Sequence, residues 1–77
     1  MKLLEAEYAH PTQAGRARLR VWERPEGGFL VTEERTGSAT VVKTLGLYDD
    51  RDQALARARA RGGELERQRF RPVDSAA

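Results

Sequence analysis

The chain of 77 residues predicts an α+β fold: a three- to four-stranded antiparallel meander sheet with one C-terminal helix packed on one face. Three observations carry this. Residues 16–24, RARLRVWER, alternate strictly, with Ala17, Leu19 and Val21 between Arg16, Arg18, Arg20 and Trp22, and a strand sends such alternate side chains to opposite faces. Turn-forming stretches, PEGG at 25–28 and TGSA at 36–39, then separate further β-rich runs. Beyond Asp49 the apolar period changes from two to that of a helix.

The first strand falls at 2–9, KLLEAEYA, where Leu4, Ala6 and Tyr8 can form a buried face. HPTQAG at 10–15 breaks it. Residues 16–24 form the next strand. In the PEGG loop, proline suits the first turn position and glycine the positive φ. GFLVTEER at 28–35 and TVVKTLGLY at 40–48 follow, the latter losing strand character near Gly46. One pairing of 16–24 with 28–35 sets Val21 against Val31, Trp22 beside Leu30 and Arg18 opposite Glu34. A shift of one residue would swap the faces. The first register buries Leu19, Val21, Phe29 and Val31 together and is preferred.

Asp49 or Asp50 is the natural N-cap of the helix, and the later arginines suit its C-terminal dipole. Leu55, Ala58, Gly62 and Leu65 share one stripe, which should cover the sheet. Gly62–Gly63 costs helix stability, so either the helix breaks there or a small residue is needed for close packing. Phe70 can anchor the chain where it leaves the helix. The whole reads as one small domain with a folded core at 2–71 and a flexible tail at 72–77.

Function is bounded first by what is scarce. There is no cysteine and one histidine, His10, so thiolate sites are excluded and a transition-metal centre is not expected. Ser38 and Ser75 sit in no nucleophile pattern. Glu33 and Glu34 are strand neighbours and point apart. Asp49, Asp50 and Asp52 read as helix capping. The expectation is a non-enzymatic module with no cofactor and no catalytic or metal site. A lack of long apolar runs and of cysteine points to a cytoplasmic protein without membrane insertion.

Twelve of the 14 basic residues are arginine, which favours planar contact with phosphate or carboxylate. Arg16, Arg18, Arg20 and Trp22 would share one strand face, the mixture of charge and aromatic that a nucleic-acid surface needs. Arg57 and Arg61, four apart on the helix, widen the footprint. The other reading of this face is the wet side of a small sheet.

The order of elements resembles the WGR domain, the module of poly(ADP-ribose) polymerases and of small bacterial proteins. The resemblance spans about residues 3–72. The family's Trp-Gly-Arg-x-Gly segment is matched by Glu33-Glu34-Arg35-Thr36-Gly37, where the arginine and last glycine agree and the tryptophan and first glycine do not. DRDQALARARARGGELERQRFRPV is similar to the family's basic closing helix, with Phe70 in the place of its usual tyrosine. The resemblance implies a sheet covered by a helix, and DNA or other nucleic-acid contact near Arg35. The leading expectation is therefore nucleic-acid, most readily DNA, binding through Arg16, Arg18, Arg20, Trp22, Arg35, Arg57 and Arg61. The alternative is a protein-interaction module, monomer or homodimer, using an exposed strand and the Trp22/Leu30 patch.

Overall fold

A computed structural model of the chain describes residues 1–73. Strands β1 (Lys2–Ala9), β2 (Arg16–Glu23), β3 (Phe29–Thr36) and β4 (Thr40–Tyr48) are followed by helix α1 (Arg51–Arg67) and a short β5 (Arg71–Pro72). They form one antiparallel sheet in the order β4-β3-β2-β1-β5. The fold class is the expected α+β. The register is the preferred one: Val21 opposes Val31, Trp22 opposes Leu30 and Arg18 opposes Glu34.

Within the sheet, two details differ from the sequence reading. β4 does not fade at Gly46 but runs to Tyr48, because the chain absorbs one extra residue, Leu45, as a bulge between Thr44 and Gly46. The Tyr48 ring then covers the bare backbone of Gly46. The second difference is the fifth strand. Pro72 pairs with Tyr8, and the Val73 N–H donates to the Glu7 carbonyl at 2.8 Å. Residues 72 and 73, assigned to a tail by sequence, are thus held by β1. The remainder of that tail lies outside the described residues.

The strands alternate as their sequences require. Leu4, Ala6 and Tyr8 of β1 align with Val21, Leu19 and Ala17 of β2 on one face, and α1 covers that face. Its buried stripe is Ala54, Ala58, Gly62 and Leu65, so Ala54 takes the place expected of Leu55, which is only partly buried at the margin. Leu65 packs with Ala17, Leu19 and Phe70. Ala54 and Ala58 pack with Val21 and Val31, beside Phe29, Tyr48 and Leu55. The core is thin, and its largest fully buried side chains are Leu19, Leu65, Val21 and Val31. Each contributes about 1.5–3 kcal/mol by leaving water.

Both helix ends are closed by local chemistry. The Asp50 side chain accepts from the Asp52 N–H at 3.1 Å, as an N-cap does. At the other end Phe70 N–H donates to Leu65 O and Arg69 N–H to Glu66 O. That double bond pattern is a Schellman motif, completed by packing of Phe70 on Leu65. Arg69 occupies its left-handed position at φ 74°.

The helix runs unbroken through both glycines, and only one of them is needed. A Cβ on Gly62 would lie 2.5 Å from the Tyr8 hydroxyl, whereas a Cβ on Gly63 meets only the Arg67 guanidinium at 3.8 Å. Gly63→Ala is expected to stabilise by about 1 kcal/mol, a rise in Tm of roughly 4–8 °C. Gly62→Ala should gain nothing despite the same helix propensity, because the Tyr8 ring must move. Combining it with Tyr8→Phe should recover most of the gain. Thermal unfolding followed by circular dichroism would measure all three variants, with Tyr8→Phe alone as the control.

Candidate functional site

The sheet face turned away from α1 carries the arginine row of β2. Its neighbours are carboxylates: Glu7 lies opposite Arg18, and Glu5 opposite Arg20, on β1. Glu34 of β3 lies opposite Arg18 on the other side. The Arg20 Nε donates to Glu5 at 2.6 Å, and Arg18 donates to Glu7 at 3.2 Å and to Glu34 at 3.4 Å. Arg16 also bonds Glu7, and Arg20 reaches Glu34 at 3.4 Å. Three arginines thus interlock with three glutamates across three strands, the cross-strand arrangement of opposite charges that supports a sheet. Hydrogen bonds from Arg20 and then Lys2 hold the Glu5 carboxyl below its ordinary range, and the bond from Arg16 does most to lower Glu7. Arg20 is in turn raised by its bond to Glu5.

Trp22 sits at one end of this face. Its indole N–H donates to the Thr32 hydroxyl at 3.3 Å, and the Arg20 guanidinium lies 5.9 Å from its ring centre. Leu30 is opposite Trp22, and Leu47 is opposite Leu30. A strip of Trp22, Leu30 and Leu47 therefore crosses from β2 to the edge of the sheet.

Arg35, Arg57 and Arg61 are on the other side. Arg35 aligns with Ala17 on the helix-covered face. Its Nε donates to Glu33 at 2.7 Å, and its guanidinium lies 5.0 Å from the centre of the Phe70 ring. Arg61 grips the same carboxylate, with Nε at 2.6 Å and Nη2 at 3.2 Å, and also donates to Glu64 at 3.1 Å. Arg57 reaches Glu64 at 3.7 Å. Glu33 itself is buried. Burial pushes its carboxyl up, but the bonds from Arg61 and Arg35 outweigh that and leave it lowered. The hydrogen bond to Glu33 raises Arg61. The seven sequence-selected residues thus divide between opposite faces: Arg16, Arg18, Arg20 and Trp22 on one, Arg35, Arg57 and Arg61 on the other.

Sequence reasoning missed the third surface. Among the described residues β4 is an edge strand, since only β3 borders it. The exposed large hydrophobics there are Met1, Val41, Val42 and Leu47. Three of the four are on β4. Val42 and Leu47 lie on the outer face, opposite Glu34 and Leu30, while Val41 and Lys43 lie on the helix face, opposite Arg35 and Glu33. The signal in the sequence was the pair Val41-Val42, adjacent apolar residues that cannot both face one core.

Among the described residues no group of three or more His, Asp or Glu is placed to hold a metal ion. No helix there is long and apolar enough to cross a membrane. No family profile matches this chain, and no curated protein or solved structure gives a significant match.

Proposed function

We propose that this domain is a protein-interaction module that accepts an extended segment of another polypeptide along the β4 edge. The observation that carries the reading is the concentration of exposed apolar side chains, Val41, Val42 and Leu47, on a strand with an open side. An edge strand offers unpaired N–H and C=O groups, and natural edges are normally guarded by proline, charge or cover. β4 contains no proline and a single charge, Lys43. A strand added there gains main-chain hydrogen bonds, with alternate side chains meeting Val42 and Leu47 on one face. The interlocked outer arginines fit this reading better than phosphate binding, because each already shares a carboxylate.

The nucleic-acid reading, which the WGR resemblance also implies, keeps one support. Arg35, Lys43, Arg57 and Arg61 gather on the helix side of β3 and β4, against Glu33 and Glu64. An amide NMR titration separates the two. Peptides selected from a displayed random library should shift Thr40–Tyr48 and leave Arg16–Trp22 in place. Shifts at the arginines with a DNA duplex or a single-stranded oligonucleotide, fading as salt rises, with no library peptide reaching β4, would replace this proposal.

A further inference from the structure

We infer that the strand which β4 takes up is β4 of a second copy of this chain, paired antiparallel about Thr44 to give a continuous two-fold sheet. The inference rests on the strand-addition reading and names its partner. It follows from the pattern of the edge itself.

In a closed two-fold pairing within one sheet, one residue lies on the axis and the others pair symmetrically about it. Leu45 and Gly46 occupy one position, as they do against β3. With Thr44 on the axis, Val42 meets Leu47 of the second copy. Val41 meets its Tyr48, and Lys43 meets its Gly46. Val42 and Leu47 are both on the outer face, and Val41 and Tyr48 are both on the helix face, so each pair can touch. Every exposed large apolar residue of β4 is covered by another apolar residue. Lys43 meets the Tyr48 ring that covers Gly46, along which its aliphatic stem can lie.

The other self-pairings do worse. An axis at Lys43 sets two ammonium groups side by side, which is destabilising. An axis at Val42 leaves Leu47 beyond the overlap. Charge favours the antiparallel sense as well. Arg35 and Lys43 flank the first half of the edge, while Asp49 and Asp50 follow its end. A second copy running the opposite way brings each end to its opposite. The pairing would turn the five-stranded sheet into one continuous across both copies, with the Trp22–Leu30–Leu47 strip of each copy ending against Val42 of the other.

Sedimentation equilibrium over about 10 μM to 1 mM would test it, a range that brackets a moderate dimer. The wild-type chain should be a dimer at the upper end. Val42→Lys, at a site 60% exposed in the single chain, should keep the fold and weaken association by about tenfold or more, since it spoils two symmetric pairs. Trp22→Ala should leave association unchanged. The chain has no cysteine, so Thr44→Cys should oxidise to a disulfide-linked dimer, because opposed strand positions fall within disulfide reach. Thr40→Cys should not. A wild-type chain that stays monomeric at the highest concentration overturns the inference; strand addition survives if selected peptides still shift β4, and fails with it if they do not. A dimer lost with Trp22→Ala but not with Val42→Lys, or cross-linked equally by both cysteines, also overturns it.

Discussion

Glu33→Ala is expected to lower stability by about 2–3 kcal/mol, with the loss read from the urea midpoint at neutral pH. The Glu33 side chain is 5% exposed and is the shared acceptor for Arg61 and Arg35. Without it two guanidinium groups face a common space with no carboxylate between them. Removing one partner of a fully buried pair costs about 3–5 kcal/mol. The figure here is lower because Arg35 and Arg61 both reach solvent, where screening is effective. Glu33→Gln keeps an acceptor of the same shape and should cost less, about 1–2 kcal/mol. The two variants also differ in acid. The folded Glu33 carboxyl lies below its ordinary value of 4.5. The stability it contributes is therefore complete above that value and is lost as pH falls through the lower folded value. The wild type should lose its advantage over Glu33→Gln in that acid window. An advantage that persisted through it would show that Glu33 does not hold its charge in the fold.

Gly15→Ala is expected to cost about 3 kcal/mol or more, enough to leave a domain of this size largely unfolded in mild denaturant. Gly15 has φ 96°, and a Cβ there would lie 2.1 Å from the Thr36 carbonyl oxygen and 3.3 Å from the Gly37 Cα. These are backbone atoms of the adjoining strand end, which cannot turn aside as a side chain can. Gly27 separates the two causes. It has φ 102°, but a Cβ there would meet nothing within 4 Å. Gly27→Ala should therefore show only the conformational term, about 1 kcal/mol. If the two substitutions cost the same, the contact with Thr36 contributes nothing.

Much of this fold is legible in the order of residues alone. The alternation of Ala17, Leu19 and Val21 fixes which side of β2 is dry, and burying Leu19 and Val21 together with Phe29 and Val31 selects its register with β3. Leu4, Ala6 and Tyr8 set the inner face of β1 by the same rule, which already turns Glu5 and Glu7 outward. What alternation cannot supply is which strands lie side by side. Arg18 already faces Glu34 in the preferred register, but Arg20 looks unopposed until β1 is laid beside it, and only then do Glu5 and Glu7 meet Arg20 and Arg18. Arg35 and Arg61 are far apart in sequence, and only the packing of α1 on the sheet brings them to one carboxylate. Likewise nothing local distinguishes an edge strand from an inner one. β4 is open because the chain returns after α1 to β1 on the opposite side.

That return has a consequence for how the molecule is made. β1 precedes the other strands of this sheet in the chain, and its outer border is completed by β5 and Val73 only after β2, β3, β4 and α1. The three hairpins from β1 to β4 join neighbours and can form as they emerge. The clasp on β1 closes the longest loop in the fold, so its entropy cost falls at the end. Until it shuts, the outer border of β1 at Tyr8 and Ala9 offers unpaired backbone groups. The Glu33 junction does not wait for it, because Arg61 and Arg35 meet that carboxylate once α1 packs on the sheet.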